Sequence, residues 1–476
     1  MTMTLEGLAT QVLEAVKNGK SVVVEAYPGF GKTKLASILL SRVHRGLVAV
    51  RTHNEIYEVF SFLEDRAGVV YAYGRPKLCF RMPSFSYKEC RAMRILSRCN
   101  TSFTYKDVAW LAATLRKPDD IVEREKKEGR CLYSALRVLA MKSRKVVATY
   151  DYIVSNPGIL EKRDIVVLDE AHHLLSYTDE LVIVLDEATI ELLVKSLKKD
   201  VETRPLAYSL RSIYRNSASI REFFDKLSTV LSSVSANNEV VELLDQLVSS
   251  YYSGKYYVQS NSWYILTETL PKLAKVPNKV MLSIHLPPFF IEGKNTEHVV
   301  VEGEPRIDAY IDTSLTTKYT ERSDEMYKEY AKRIRELIAN DCGNLVVFPS
   351  YEVMNSVMQH LEDVKHRVLS AKDKPESLPN GAIIVDVAGG KLSEGVNIAN
   401  IRRVIMVGMP YPDPTPELNL LAKIYGFDNV YTYLALLRSF QAVGRIRDRG
   451  IAYFLDERFQ KYVEKIPKWV RVVACI

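Results

Sequence analysis

Val22 to Thr33 reads VVVEAYPGFGKT, a β-branched apolar run that passes directly into a glycine-rich turn ending in Lys and Thr. A chain builds a cradle for nucleotide phosphates in this way. Gly29 and Gly31, with Phe30 between them, let backbone N–H groups converge on the phosphates, Lys32 places a point charge at the outer phosphates, and Thr33 offers a hydroxyl to Mg²⁺. Small Ala26 stands where the usual pattern has its first glycine. A GKT tripeptide alone is common by chance; the strand in front of it makes a nucleotide-driven machine the leading expectation.

Outward from this stretch, short apolar runs alternate with longer helical patterns. GLVAVRTH (46–53), KVVATYD (145–151), IVVLDEAH (165–172) and KVMLSIH (279–285) are expected as parallel strands joined to the first by crossovers, which makes one α/β lobe. NLVVFPSY (344–351), AIIVDVAGG (382–390), RRVIMVGMP (402–410) and IAYFLDERF (451–459) repeat the pattern as a second lobe. Two insertions interrupt the first lobe: residues 71–140, rich in cysteine and basic residues, and residues 176–270, strongly helical. The first lobe is then expected in three pieces, 1–70, 141–175 and 271–300, and the second over 301–476.

The run IVVLDEAHH delivers Asp169 and Glu170 to the carboxyl edge of the sheet, where the phosphate loop also ends. There Asp169 would hold Mg²⁺ through its water shell, and Glu170 would orient or deprotonate the attacking water. His172 would link this site to the neighbouring lobe. A DE pair after a strand is elsewhere a surface turn; the upstream GKT argues for chemistry here.

Of 476 residues, 47% are apolar and 26% charged, the balance of a globular chain long enough for three or four domains. No apolar run reaches the roughly 18 residues of a membrane span, and the first residues lack the pattern of a signal peptide, so a cytoplasmic location is expected. A net charge of +7 permits a polyanionic partner, and an ordinary solvated surface explains it equally. Four of the six cysteines, Cys79, Cys90, Cys99 and Cys131, share one stretch of 53 residues, spaced C-x10-C-x8-C-x31-C. In a reducing compartment such clustering points to zinc or an iron–sulfur cluster before disulfides, with unliganded buried thiols as the alternative.

A nucleic-acid surface is also legible. Arg51, Thr52 and His53 leave the end of a strand, where a guanidinium and a hydroxyl suit backbone phosphates, and Ser350 and Tyr351 leave a second-lobe strand in the same fashion. Tyr150 and Tyr152 offer stacking faces for unpaired bases, with a core or rim position as the alternative. Lys88, Arg91 and Arg94 lie in a basic run around the cysteines that suits a single-strand channel or a wedge at a fork, or else a solvated helix face.

Nine strings, AYPGFGKT, VRTHNEIYEV, VVATYDYIVSN, VVLDEAHHL, LVVFPSYEVM, GGKLSEGVNI, VGMPYP, QAVGRI and FLDERF, occur in this order between Val22 and Phe459. In order and content they resemble the XPD family of superfamily 2 helicases, most closely the archaeal members, with the bacterial DinG proteins as nearest competitor. The resemblance implies two RecA-like parallel-sheet lobes, an iron–sulfur domain and a helical arch domain inserted in the first lobe, and ATP-dependent travel along single-stranded DNA in the 5′ to 3′ direction. It also implies a four-iron, four-sulfur cluster on Cys79, Cys90, Cys99 and Cys131, action as a monomer on single-stranded and forked DNA, and repair of the nucleotide excision type with repair-protein partners. Gln441 and Arg445 of QAVGRI would complete the site from the second lobe, an arginine stabilising transition-state charge at the γ-phosphate.

Three departures qualify the resemblance. The family's second arginine is replaced by Asp448, which leaves Arg447 or Arg449 to act beside Arg445. The segment LSIHLPP keeps Ser283 but carries Ile284 and His285 where the family has a small residue and Thr, in a segment expected to couple hydrolysis to movement. No adenine-reading side chain is evident near the N-terminus, where Gln11 lies in a helical pattern. These departures keep open a second class, an ATP-gated single-strand binding protein or scaffold with weak, uncoupled hydrolysis. A third, an RNA helicase, is disfavoured by the cysteine insertion.

Overall fold

The computed structural model describes residues 4–66, 68–74, 78, 132–180, 182–234, 238–259, 262–266, 276–287, 291, 295–303, 306–369, 377–390 and 398–476. After the helix Leu5–Lys17, capped by the Thr4 hydroxyl accepting from Gly7 N, the first five strands are β1 (Ser21–Ala26), β2 (Gly46–Val50), β3 (Val69–Ala72), β4 (Lys145–Thr149) and β5 (Ile165–Leu168). The chain then forms β6 (Val182–Leu185), β7 (Tyr256–Gln259) and β8 (Ser262–Leu266), an antiparallel sheet of its own, before β9 (Lys279–Ser283) and β10 (Thr296–Val301) return to the first sheet.

The first sheet has the order β10-β1-β9-β5-β2-β4-β3 and is parallel throughout. Its central strands are buried on both faces, so they read as unbroken Val, Leu and Ala runs without alternation. The strand order puts β9 between β1 and β5. Three carboxyl ends therefore meet side by side: the one that enters the phosphate loop, the one that ends in Ser283, and the one that ends before Asp169.

The second lobe is a seven-stranded parallel sheet of β11 (Ile307–Asp312), β12 (Gly343–Phe348), β13 (Val368–Leu369), β14 (Ile383–Val387), β15 (Ile401–Val407), β16 (Gly450–Leu455) and β17 (Val470–Cys475), in the order β13-β14-β12-β15-β16-β11-β17. Successive residues of one strand point to opposite faces. Leu345 and Val347 thus join one core with Phe440 and Val443 of the helix Tyr433–Val443. Val346 and Phe348 join the other with Tyr330 and Ile334 of the helix Asp324–Leu337.

Two compact units emerge, one of Met1–His172, Val276–Pro412 and Thr432–Ile476, which holds both parallel sheets, and one of His173–Lys275 with Asp413–Tyr431. The second unit departs from expectation in two ways. Beside the helices Glu187–Leu197, Arg204–Asn216, Ile220–Leu231 and Glu239–Tyr252, the stretch expected to be strongly helical also holds the β6-β8-β7 sheet. It also recruits a stretch assigned from sequence to the second lobe: within Asp413–Tyr431 the Lys423 ammonium reaches the Tyr256 carbonyl at 3.1 Å and lies over its ring. Short, half-buried strands such as β10 and β17 escape a hydropathy pattern because each sits at or near a sheet edge.

At the end of β16 the wholly buried Asp456 carboxylate accepts from Thr317 N, Met409 N and Arg458 N, and from the Arg458 guanidinium at 2.6 and 2.7 Å. It ties three loops at the carboxyl edge of the second sheet. Asp456→Ala strands a guanidinium and three amides, and is expected to cost about 3–5 kcal/mol, read as a lower urea midpoint.

Candidate nucleotide site

β1 ends at Ala26, and Gly29 and Gly31 take left-handed φ values of 82° and 100°, which a side chain would resist. Gly31 caps the helix Lys32–Ser41, whose first N–H groups face the space an anion would fill. Lys32 is buried. Its ammonium lies 3.4 Å from the Ala26 carbonyl and 3.5 Å from Glu170 Oε1, which joins the phosphate loop to the acidic pair. Thr33 Oγ1 donates to Asp169 Oδ2 at 2.8 Å.

Burial and the adjacent Glu170 push the Asp169 carboxyl up to about 7, against the opposing pull of Thr33 and Lys32. Glu170 has a φ of +49°, and its buried Oε2 accepts no hydrogen bond. A hydroxyl and a carboxylate within hydrogen-bond reach are hard oxygen donors that suit Mg²⁺. Glu170 Oε2 lies 3.4 Å from His172 Nδ1, and with no hydrogen bond of its own, on a backbone of positive φ, it is the group a water would satisfy.

His172 is fully buried, and burial together with the charges of Lys32, Arg51 and His285 lowers its pKa to about 3, so the ring is neutral. Its Nδ1 lies 2.9 Å from Ser283 Oγ, and its Nε2 lies 2.8 Å from Gln441 Nε2. Ser283 gives its own proton to the His285 carbonyl at 2.9 Å. The imidazole proton therefore sits on Nδ1, pointing at Ser283, and Nε2 accepts from the Gln441 amide. A neutral histidine in one tautomer thus joins the end of β9 to the second lobe.

The second lobe approaches from the helix Tyr433–Val443. At its end, a Cβ on Gly444 would lie 2.6 Å from Pro28 Cγ, so only glycine permits the lobe to close on the phosphate loop at this distance. A Cβ built on Gly29 would lie 3.8 Å from Arg447 Nη1. That puts the Arg447 guanidinium beside the phosphate loop, with Arg445 two residues earlier in the turn. Ser283 and His285, which the sequence places in the segment expected to couple hydrolysis to movement, stand in this neighbourhood; Glu25 is an addition, its one signal in the sequence being a carboxylate inside the apolar run VVVEA.

The expected DNA contacts divide. Arg51 and Thr52 are exposed at the end of β2, and Glu55 accepts from both of their backbone N–H groups, at 2.8 and 3.2 Å. His53 packs against Tyr73, ring centroids 5.0 Å apart. Ser350 occupies the matching cap at the end of β12, accepting from Val353 N at 3.3 Å, and the Tyr351 ring is 65% exposed. Tyr150 and Tyr152 correct the expectation. Both are fully buried, with Tyr150 donating to the Asp169 carbonyl at 2.8 Å and Tyr152 to the Leu136 carbonyl at 3.5 Å, so neither presents a stacking face. Their helix turns them inward beneath the acidic pair. Cys79, Cys90, Cys99, Cys131, Lys88, Arg91 and Arg94 lie outside the described residues, among which no group of three or more His, Cys, Asp or Glu is arranged to hold a metal. No described helix is long and apolar enough to cross a membrane.

Residues 334–473 match a family model described as a helicase C-terminal domain. Over 99% of its length the chain is 25% identical to the ATP-dependent DNA helicase XPD of Sulfolobus acidocaldarius, covering 97% of that protein. Over 37% of its length it is 27% identical to the XPD/RAD3 helicase subunit of general transcription and DNA repair factor IIH from Saccharomyces cerevisiae, covering 26% of it. In fold it is similar to a solved XPD helicase, with a TM-score of 0.61 at 23% identity over 97% of both chains, and the two parallel sheets correspond to RecA-like lobes.

Two substitutions test the geometry. Gly444→Ala forces Pro28 aside, an overpacking cost of about 1–3 kcal/mol on lobe closure, and is expected to lower nucleotide turnover about tenfold with unchanged circular dichroism. Tyr150→Phe deletes one buried hydrogen bond and is expected to cost about 1 kcal/mol of stability while leaving single-strand affinity, measured by fluorescence anisotropy, as it was.

Proposed function

We propose, from the premise that this chain belongs to the XPD family, that it is an ATP-dependent DNA helicase that moves along single-stranded DNA in the 5′ to 3′ direction. The observation that carries the proposal is the convergence on one cleft of the Lys32 ammonium, the Thr33–Asp169 pair, the unsatisfied Glu170 oxygen and the Gln441–His172 bond between lobes. The relatives' names, one an ATP-dependent DNA helicase and the other a helicase subunit of a DNA repair factor, supply the substrate.

In this mechanism the phosphate-loop amides and Lys32 bind the phosphates of ATP, and Thr33 and Asp169 would hold Mg²⁺, which shields their charge. Glu170 orients the attacking water and accepts its proton at the carboxylate oxygen that makes no hydrogen bond. Arg445 and Arg447, at the end of the second-lobe helix, stabilise charge on the leaving phosphates, with Arg447 nearest the loop. Gln441 registers closure of the second lobe through the neutral His172. Arg51, Thr52 and His53 of one lobe and Ser350 and Tyr351 of the other grip the strand from equivalent strand ends, two grips whose separation changes with the cleft.

In this proposal the insertion expected over 71–140, apart from Tyr71 and Ala72 of β3, forms an iron–sulfur domain, with Cys79, Cys90, Cys99 and Cys131 as a thiolate set for a four-iron, four-sulfur cluster and Lys88, Arg91 and Arg94 at the strand's entry. Residues 176–270 belong to an arch domain. The protein acts in the cytoplasm as a monomer on single-stranded and forked DNA, with repair-protein partners, in repair of the nucleotide excision type.

The primary test is ATP turnover with and without single-stranded DNA, the wild type beside Lys32→Ala. Strong stimulation abolished by Lys32→Ala is the expected result, with unwinding confined to duplexes bearing a 5′ tail. DNA binding with turnover no higher than Lys32→Ala would replace the motor with an ATP-gated clamp. Anaerobically purified protein is expected to carry about four irons per chain with visible absorbance, both lost on Cys79→Ala; zinc in their place would overturn the cluster.

A further inference from the structure

His285, at the position where the resemblance implies a threonine, follows β9 and makes contacts on both sides. Its Nδ1 lies 3.1 Å from Glu25 Oε1, on the strand that enters the phosphate loop, and the same oxygen accepts from Leu286 N at 2.6 Å. Burial alone would push the Glu25 carboxyl up, yet the hydrogen bonds from His285 and Leu286 N and the charges of His285 and His298 hold it below its ordinary value. Glu25 is therefore a carboxylate, and His285 Nδ1 is one of its donors, beside Leu286 N on the same oxygen and His298 Nε2 at 3.1 Å from the other. On the other side the His285 carbonyl accepts from Tyr433 Oη at 2.8 Å, and its ring packs against Tyr433 and Phe440 at centroid separations of 5.5 and 6.4 Å.

Tyr433 and Phe440 stand on the helix that carries Gln441 and leads into Arg445 and Arg447. Ile284, the other departure, packs against the core of the second lobe. Both replacements therefore face the second lobe, and His285 alone reaches back to the phosphate-loop strand. The same residue's carbonyl takes the Ser283 proton, which settles the proton on His172.

We infer that the Glu25–His285–Tyr433 chain is an interlobe latch that couples closure of the second lobe to the phosphate loop, doing in this protein the work of the missing threonine. It rests on the motor function proposed above. His285 is a positioning residue: it touches no nucleotide group, and it holds the Tyr433 helix and the phosphate-loop strand in one register. Opening the latch leaves Lys32, Asp169 and Glu170 in place and removes the connection by which DNA, gripped by both lobes, drives closure.

The test compares DNA-independent turnover, KM for ATP and stimulation by a poly-dT oligonucleotide in the wild type, His285→Leu, His285→Asn and Tyr433→Phe. His285→Leu, which cannot donate to Glu25, is expected to keep DNA-independent turnover and KM within about twofold and to lose about tenfold in stimulation, the order set by one charge-assisted hydrogen bond. Tyr433→Phe, acting from the other lobe, lowers stimulation about threefold. His285→Asn keeps a donor where Nδ1 stands and retains at least half of the stimulation. The latch is overturned by His285→Leu stimulated as fully as the wild type, by equal damage in the Leu and Asn variants, or by a KM that rises together with the loss. A wild type that hydrolyses ATP without responding to DNA overturns the motor function, and the latch with it.

Discussion

A neutral, fully buried imidazole joins the two lobes, and the rest of the site is arranged around it. His172 is buried with two ring nitrogens that each need a partner: Nδ1–H donates to Ser283 Oγ, and the Gln441 amide donates to Nε2. Burial and nearby cations keep the ring uncharged. Withdrawing the second lobe would take the Gln441 amide from Nε2, so the contact is made or broken as a whole. That suits a signal between lobes better than a graded contact does.

Strand order makes this possible. Because β9 lies between β1 and β5, the serine at its end sits between the phosphate loop and the acidic pair. The residues that follow, Ile284 and His285, face the second lobe, and Gly444 allows that lobe to come within contact of Pro28. Electrostatics follow the same geometry. Lys32, Asp169 and Glu170 crowd into a small, poorly solvated volume, where burial and mutual repulsion raise the Asp169 carboxyl and leave one Glu170 oxygen unsatisfied. An anionic ligand with a hard cation relieves each of these strains at once.

What was legible in the sequence was local. VVVEAYPGFGKT and IVVLDEAHH declare a strand, a turn and a chemistry within a dozen residues, because a buried parallel strand is an unbroken apolar run and a phosphate loop needs glycine where φ is positive. Thr52 and Ser350, read from the sequence as polar groups at strand ends facing DNA phosphates, each turn out to begin a helix as its N-terminal cap. Tyr150 and Tyr152 were open from the sequence between a stacking face and the core, because a tyrosine just beyond a strand faces core or solvent according to the turn of the helix that follows, and both fall in the core. The recruitment of Asp413–Tyr431 by a unit far earlier in the chain was equally hidden, being a contact between distant segments.

By itself the sequence determined two α/β lobes, a phosphate-binding loop and an acidic pair, since each depends on residues close together in the chain and on side-chain chemistry that context does not alter. The tertiary structure alone decided which side chains meet: that Glu25 receives His285, that Ser283 and Gln441 share His172, that Arg447 reaches Gly29, and that two tyrosines point inward. Those pairings depend on the order of strands in the sheet and on the approach of one lobe to the other. No local pattern of residues encodes that information, because it arises only when distant apolar surfaces are packed together.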